Sequence, residues 1–164
     1  MFGRIRTFLN ELRPAALDDL GLAAVAKRLL NDFSKRTGIE VNISGDYDAL
    51  KELDGDKRIV VFRLLQECLT NIVKHAHASR VVVTVKKAGS NLTLQINDDG
   101  QGFSVDRKSH DGGRRGGMGI LGMRERMGLV GGEFQIDSSP RKGTTVTARI
   151  PLVGTLDDKS STKV

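Results

Sequence analysis

The sequence predicts an α+β fold, a two-layer α/β sandwich in which three helices cover one face of a mixed, mostly antiparallel sheet. Three segments are predicted to form the covering helices, beside a shorter helical segment near the N-terminus, and four others alternate in pairs like β-hairpins. The elements follow the order helix, strand, helix, hairpin, helix, hairpin. Hydrophobic residues make up 38% of the 164 residues, which suffices for one core, and the aromatic share of 4% makes that core mostly aliphatic.

The N-terminal half contains two of the covering helices and the first strand. Residues 4–12 have helical spacing, which Pro14 interrupts, so residues 12–22 (LRPAALDDLGL) form a short connector. The apolar stripe from Leu22 to Phe33 predicts a helix that ends before Gly38. Residues 39–44 (IEVNIS) alternate like a half-buried strand, and a polar connector follows them. A long helix then begins near Asp54 or Asp56 and continues to about Ala76, with a core stripe that starts at Ile59.

The C-terminal half predicts two hairpins separated by a loop and a helix. Residues 80–87 and 91–98 form the first hairpin, 100–117 a basic glycine-rich loop, 120–129 a helix, and 133–139 with 144–152 the second hairpin. The turn of the second hairpin is the segment 140–143 (PRKG). A polar tail follows Leu152 and is expected to be disordered.

The charge and the cysteine content restrict the classes of function. Lys and Arg number 26 against 20 Asp and Glu, an excess that suits an anionic ligand or partner. Single-stranded nucleic acid is bound on aromatic platforms, for which this chain has few residues. The single cysteine, Cys68, excludes an internal disulfide and fits a reducing compartment. The N-terminus resembles no signal peptide, and no apolar run approaches the ~18 residues of a membrane span.

The stretch Gly117-x-Gly119-x-x-Gly122 matches the dinucleotide-binding fingerprint in form only. That fingerprint requires a strand directly before the first glycine, whereas SHDGGRRG precedes it here. A Walker loop is excluded as well, because no Lys-Ser or Lys-Thr follows the glycines. Taken alone, the stretch is typical of a surface loop closed by a helix cap.

A second stretch places three polar residues on one face of the long helix. Glu67 and Asn71 are four residues apart, and Lys74 is three further on. The amide oxygen of Asn71 suits a hard cation such as Mg²⁺, the ammonium of Lys74 suits a phosphate, and Glu67 can orient or deprotonate a nucleophile. Taken alone, such a triplet is more typical of a solvated helix face.

A third stretch, INDDGQGF (96–103), ends the strand before the long loop. An ionised Asp98 only accepts hydrogen bonds, which suits the exocyclic amine of adenine. Gly100 and Gly102 would let a purine approach the backbone closely. Taken alone, an ordinary Asp-Gly turn explains this stretch equally well.

In this order and spacing, the three stretches resemble the ATP-binding domain of the GHKL superfamily. QECLTNIVKHA looks like its N box, DDGQGF like its first glycine box and GGMGILGMRERM like its second, while GTTVTARIPL looks like its closing strand. Asp99 stands where this first glycine box often has Asn. The connector LRPAALDDLGL and the form GILGMRERM are similar to sensor histidine kinases of the NarL, DesK and LiaS/VraS type.

The resemblance implies the Bergerat ATP-binding fold, with ATP and Mg²⁺ as cofactors. It implies that Asn71 coordinates Mg²⁺ and that Glu67 lies beside the γ-phosphate and assists transfer or holds a metal-bound water. It further implies that Asp98 binds the adenine amine. The remaining implied roles are phosphate contact by Lys74, base-pocket shape from Gly100 and Gly102, a lid hinge from Gly117, Gly119 and Gly122, and closure near the base by Thr144 or Thr145.

The same resemblance divides the chain and supplies its partners. Residues 1–13 would end a dimerisation-hairpin helix, 14–152 would form the catalytic domain, and 153–164 the tail. The phosphoacceptor histidine would lie on a hairpin outside this chain, because His75, His77 and His110 do not match its position. The expected partners are that hairpin and a response regulator, without nucleic acid. The domain is expected to be cytoplasmic, in a homodimeric parent that can be membrane-bound, and the fragment alone can be monomeric.

The loop 104–118 is expected to be a mobile cationic lid over the triphosphate, disordered without nucleotide. Three alternatives remain beside the histidine kinase. One is a serine kinase of the anti-sigma type, against which the connector argues. Another is an ATP-sensing module without transfer activity, against which the intact Glu67, Asn71 and Asp98 argue. The last is a basic nucleic-acid binder, whose affinity would depend steeply on salt and would be unaffected by ATP.

Overall fold

The computed structural model describes residues 15–53, 55–105 and 117–153. The helices are α1 (Ala15–Leu20), α2 (Leu22–Thr37), α3 (Gly55–Asn71) and α4 (Gly117–Leu129), with a 3₁₀ helix at Tyr47–Glu52. The strands are β1 (Glu40–Gly45), β2 (Arg80–Ala88), β3 (Asn91–Asp98), β4 (Glu133–Ser138) and β5 (Thr144–Pro151). The predicted helix at 4–12, most of the predicted lid and the predicted tail lie outside the described residues.

The five strands form one mixed sheet in the order β1-β2-β3-β5-β4. Strand β1 pairs with β2 in parallel, and the other three pairs are antiparallel. Side chains alternate between the two faces of each strand, and one face is buried at Val81, Val83 and Val85 of β2. The predicted mixed, mostly antiparallel sheet is therefore confirmed, including both hairpins.

Helices α2 and α3 supply most of the core opposite the sheet. Phe33 of α2 and Phe62 of α3 are fully buried among Leu, Val and Ile side chains, as the scarcity of aromatic residues predicts. The predicted core stripe of α3 is wrong at Ile59, which is 40% exposed. The buried face of the first turn passes instead through Lys57 and Val61. The rest of the predicted stripe is buried as predicted, at Phe62, Leu65, Leu69, Ile72 and Ala76.

Two connectors contain short helices that the sequence patterns do not indicate. The segment 12–22 includes α1, whose Leu17 is buried, and the polar connector after β1 includes the 3₁₀ helix. Both helices are six residues long, which is too short to display a helical period. Helix α4 begins at Gly117, three residues before the predicted start, so Gly117, Gly119 and Gly122 all belong to it.

Helix α3 does not end as an α-helix. One π-helical turn, Ile72–Ala76, continues it, and His77 terminates the turn in the left-handed region at φ 49°. A π-turn closes hydrogen bonds between residues five apart, so it contains more residues per turn than the α-helix before it. The side chains after Asn71 consequently depart from the angular positions that α-helical spacing predicts.

Replacing His77 by Gly is expected to stabilise the fold. A Cβ in the left-handed region costs about 1–2 kcal/mol, which Gly avoids, and part of that gain is offset by the greater chain entropy of Gly. We expect a net gain of up to about 1 kcal/mol in the free energy of unfolding, measured by urea denaturation. His77→Ala is the matched control because it keeps the Cβ, and equal stability of the two variants would contradict the prediction.

Among the described residues, none of the helices is both long enough and apolar enough to cross a membrane.

Candidate functional site

A cavity of about 280 Å³ lies between the sheet and helices α3 and α4. Its walls come from α3 and its π-turn, from the loop after β3, from α4 and from the helix-covered face of the sheet. The lining residues are Cys68, Asn71, Ile72, His75, Ala76, Ile96, Asp98, Gln101, Gly102, Phe103, Ile120, Met123, Ile136, Thr144 and Val146. A mostly apolar cavity with a few converging polar groups is the usual form of a small-molecule site.

Asp98 is the charged side chain at the bottom of this cavity. It ends β3, is only 5% exposed, and accepts a hydrogen bond from the backbone N–H of Gly100 at 2.9 Å through Oδ1. Burial raises the pKa of this carboxyl, and the backbone N–H groups of Gly100 and Thr144 offset part of the rise. An ionised carboxylate in an apolar cavity strongly favours a ligand that brings a hydrogen-bond donor, such as an exocyclic amine.

The neighbouring Asp99 fixes the backbone that presents Asp98. Its Oδ1 accepts hydrogen bonds from the backbone N–H groups of Ser79 and Arg80, both at 2.8 Å. These bonds hold the pKa of Asp99 below its usual range, and the bond from Arg80 has the largest effect. Asp99 therefore joins the end of β3 to the start of β2, which explains how an Asp serves where the related first glycine box often has Asn.

The glycines after Asp98 lie where side chains do not fit. A Cβ on Gly100 would approach Asp98 Oδ1 to 2.7 Å and would overlap the carbonyl oxygen of Ala76. Gly102 has a φ of 59°, and a Cβ there would overlap the carbonyl oxygen of Ser139. The loop thus passes between the π-turn and the β4–β5 turn with room for backbone only.

Gln101 ties the same loop to the end of α3. Its backbone N–H donates to the carbonyl of Ala76 at 2.7 Å, and its side-chain Nε2 donates to the carbonyl of His75 at 2.5 Å. Both acceptors belong to the last turn of a helix, where carbonyls lack intrahelical partners. His75 lines the cavity, and His77 ends the π-turn beside it.

Of the three polar residues predicted on one helix face, Glu67 and Asn71 keep α-helical spacing within α3, and Lys74 does not. Asn71 lines the cavity, and Glu67 lies one turn earlier on α3, outside the lining. Lys74 is exposed and is also outside the lining, which differs from the predicted common face. The reason is the π-turn, which begins directly after Asn71 and shifts Lys74 away from the angular position that α-helical spacing gives.

The glycines of the second glycine box occupy the first half of α4. The carboxylate of Glu67 lies against this helix at Gly119, where an added Cβ would overlap its Oε1 and displace the end of the Glu67 side chain. Gly122 faces open space, and Gly117 begins the helix. Between them Ile120 lines the cavity, and Met123 follows one turn later with its sulfur 4.0 Å from the sulfur of Cys68.

Strand alternation distinguishes the two candidate threonines at the start of β5. Thr144 faces the helices and lines the cavity. Thr145 lies on the opposite face, where its Oγ1 accepts a hydrogen bond from Asn97 Nδ2 at 2.7 Å. Successive side chains of a strand point to opposite faces, so only one of the pair can reach a ligand. Of the two alternatives, the structure places Thr144 and not Thr145 against the cavity.

Several lining residues are not singled out by the sequence patterns. Phe103 and Met123 lie inside the two glycine boxes, but no pattern in the sequence identifies them as lining residues. Ser138 lies outside the lining but bonds to Thr144, and the sequence does indicate this pair, because the short turn between β4 and β5 places the two residues opposite each other. Counting strand pairs outward from the turn 139–143 places Ser138 opposite Thr144.

The family model described as "Histidine kinase-, DNA gyrase B-, and HSP90-like ATPase" matches residues 56–154, which include α3, the cavity and α4. The chain belongs to this ATPase family. It is 37% identical over 148 residues to the oxygen sensor histidine kinase NreB of Staphylococcus carnosus, covering 90% of this chain and 41% of NreB. It is 36% identical over 150 residues to the histidine-protein kinase/phosphatase DegS of Brevibacillus brevis, covering 90% of this chain and 37% of DegS. The chain thus spans about two fifths of these curated relatives.

Solved structures agree with this fold assignment. The histidine kinase domain of the blue-light activated histidine kinase of Erythrobacter litoralis EL346 superposes with a TM-score of 0.61, at 23% identity, over 93% of this chain and 75% of that one. A second structure of that kinase gives a TM-score of 0.55 at 26% identity, over 80% of this chain and 42% of that one. The predicted α+β ATP-binding fold is confirmed.

Proposed function

We propose that this ATPase-family domain is the catalytic domain of a two-component sensor histidine kinase. It binds Mg²⁺·ATP and transfers the γ-phosphoryl group to a histidine outside this chain, from which a response regulator receives it. The observation that carries the proposal is the buried carboxylate of Asp98 at the bottom of a cavity that Asn71 also lines. The names of NreB and DegS support histidine phosphorylation as the reaction.

The base and the phosphates would occupy different parts of the site. The exocyclic amine of adenine would donate to Asp98, and Ile96, Ile136 and Val146 of the sheet would contact the purine. The phosphates would then extend toward Asn71 and the start of α4, where backbone N–H groups of a helix N-terminus favour anions. The exposed ammonium of Lys74 could reach a phosphate only beyond the cavity.

The residues fit a magnesium ion held chiefly by the nucleotide. No group of three or more His, Cys, Asp or Glu converges in the part of the chain that the structure describes. Mg²⁺ commonly binds through one or two protein oxygens, substrate phosphates and water, so the amide oxygen of Asn71 would suffice, with Glu67 holding a coordinated water. When bound, the ion neutralises charge that develops on the phosphates.

The transfer step needs little covalent chemistry from this chain. A nitrogen of the acceptor imidazole forms a bond to the γ-phosphorus while the bond from that phosphorus to the β–γ bridging oxygen breaks. ADP leaves with the bond's electron pair, and the proton on the other imidazole nitrogen passes to a base. Glu67 is the candidate for that base or for the group that orients the imidazole, because it adjoins Gly119 at the start of α4.

The partners follow from the same proposal. The acceptor hairpin and the response regulator would act on the cytoplasmic side, and a homodimer of the parent protein would bring the hairpin to this domain. An anti-sigma-type serine kinase and an ATP sensor without transfer are the competing functions. Neither is favoured by a particular contact in the structure, so they enter as outcomes of the test.

The test is transfer from ATP labelled at the γ-phosphate to the parent kinase that contains the hairpin, followed by addition of its response regulator. We expect acid-labile, base-stable label on the kinase, and its loss to the regulator. Acid-stable label on a separate substrate protein would favour the serine kinase. ATP binding without any labelled protein would favour the sensor module, and either result would contradict the proposal.

A further inference from the structure

We propose that Ser138 determines base specificity by fixing the direction of the Thr144 hydroxyl. In this arrangement Thr144 and the carboxylate of Asp98 present only hydrogen-bond acceptors to the base, and the site selects 6-aminopurine nucleotides over 6-oxopurine nucleotides. The inference rests on the proposed nucleotide site and adds to it a residue, Ser138, that does not line the cavity.

The three residues form one row across the sheet. Asp98 at the end of β3 is paired with Thr144 at the start of β5, and Thr144 is paired with Ser138 at the end of β4. Thr144 is therefore the middle member, with an acidic neighbour on one side and a hydroxyl neighbour on the other. Its own hydroxyl could in principle point toward either neighbour or toward the base.

The hydrogen bonds of Ser138 decide where the Thr144 proton goes. Ser138 Oγ lies 3.1 Å from the carbonyl oxygen of Gly143, an acceptor that cannot supply a proton, so the proton in that bond belongs to Ser138. Ser138 Oγ also accepts the backbone N–H of Phe103 at 2.9 Å. The contact of 2.8 Å between Ser138 Oγ and Thr144 Oγ1 must then use the proton of Thr144.

The cavity wall consequently offers two acceptors side by side. The exocyclic amine of adenine can donate to Asp98, and a water that donates both ways can join Thr144 Oγ1 to the acceptor nitrogen next to that amine. A 6-oxopurine would place its carbonyl oxygen against the same carboxylate and hydroxyl lone pairs. Leaving polar groups unpaired or opposed in a buried site is costly, so the pattern discriminates against the 6-oxo base.

Ser138→Ala removes the acceptor of the Thr144 proton. The hydroxyl can then rotate and donate into the cavity, where a 6-oxo group would accept the bond, or it can donate to Asp98 and compete with the adenine amine. Either direction lowers the preference for the amino base. The Phe103 N–H also loses a partner, but that loss affects both nucleotides equally.

The experiment measures the affinities for Mg²⁺·ATP and Mg²⁺·ITP (inosine 5′-triphosphate) by calorimetry for the wild type, Ser138→Ala, Thr144→Val and the double variant. We expect Ser138→Ala to lower the ATP/ITP affinity ratio about fivefold, which corresponds to the net free-energy contribution of one hydrogen bond. Because Ser138 acts through Thr144, adding Ser138→Ala to Thr144→Val should leave the ratio unchanged. Ser138→Thr keeps the hydroxyl and should keep the wild-type ratio.

A purely structural role for Ser138 would give a different result. Equal losses of affinity for both nucleotides in Ser138→Ala, or the same drop in the ratio with Val at position 144, would overturn the inference. If Ser138→Ala fails to fold, Ser138→Cys retains the volume with a weaker acceptor and should show the same drop in the ratio. Failure of the wild type to bind either nucleotide would instead overturn the proposed function.

Discussion

Replacing Asp98 by Asn is expected to weaken the binding of Mg²⁺·ATP about a hundredfold without unfolding the domain. The amide oxygen of Asn can still accept the backbone bond from Gly100, but the charged acceptor for the adenine amine is lost. A buried hydrogen bond to a charged group, together with an amide N–H opposed to the amine, corresponds to about 2–3 kcal/mol. The measurement is the rise in melting temperature that a non-hydrolysable ATP analogue and Mg²⁺ produce.

The pH dependence of the same variant gives a second readout. Burial raises the pKa of Asp98 in the folded state above its value in the unfolded chain. The contribution of this carboxyl to the stability of the fold is therefore present below the unfolded pKa, and it is lost as pH rises through the folded pKa. At neutral pH without nucleotide, Asp98→Asn should therefore be at least as stable as the wild type. Binding of the amine favours the ionised carboxylate, so wild-type affinity should fall as pH falls through that raised pKa, and the variant should not show this dependence.

Asp137→Asn is the matched control. The side chain of Asp137 is exposed on the outer face of β4, and replacing it by Asn changes the net charge by the same amount as Asp98→Asn does. We expect it to keep the full thermal shift with ATP. Equal responses of the two variants, or an unchanged response in Asp98→Asn, would show that the carboxylate in the cavity does not bind the base.

Glu67→Gln is expected to lower the rate of phosphoryl transfer about a hundredfold or more while leaving the affinity for Mg²⁺·ATP within about twofold. The carboxylate lies outside the cavity lining, so the base should not depend on it, whereas a lost general base typically costs 10²–10⁴-fold. Gln has nearly the same shape, and the contact with Gly119 can remain. The measurement is single-turnover labelling of the parent kinase at saturating ATP.

Glu133→Gln, at an exposed position of β4, controls for the loss of one negative charge and should transfer at the wild-type rate. A Glu67→Gln enzyme whose rate is normal, or whose defect is entirely in ATP affinity, would remove Glu67 from the transfer step. In the second case the carboxylate would act by positioning the start of α4, which it contacts at Gly119.

The sequence predicts those parts of the fold and site that depend on regular spacing. Strand alternation and the turn segments are sufficient for both hairpins. Asp98, which the structure places in the cavity, is identified by the resemblance of DDGQGF to the first glycine box and not by the strand pattern. Lys74 is misplaced because the π-turn changes the helical period, which no pattern in the sequence reveals. Long regular elements are thus predictable, whereas their irregular ends, where the site lies, are much less so.

Other parts of the site depend on contacts between segments that are distant in the chain. Gln101 bonds to carbonyls of the π-turn twenty-five and more residues away, and Ser138 accepts the N–H of Phe103 across 35 residues. Such bonds require the three-dimensional arrangement, because the donor residues lie in irregular loops without periodicity. The choice between Thr144 and Thr145 is simpler, since the alternation of β5 lets only one of two adjacent threonines face the cavity.

The most direct test of the central claim, that the cavity between the sheet and helices α3 and α4 holds adenine, is an NMR titration of the ¹⁵N-labelled chain with an ATP analogue and Mg²⁺. We predict saturable, one-to-one shifts concentrated at the amides of Gly100, Gly102, Ile120 and Thr144, with little change at Gln95 and Thr147 on the outer face of the sheet. Shifts confined to that outer face would contradict the claim. So would weak shifts that disappear in about 0.3 M salt, a concentration at which interactions between exposed charges are strongly screened.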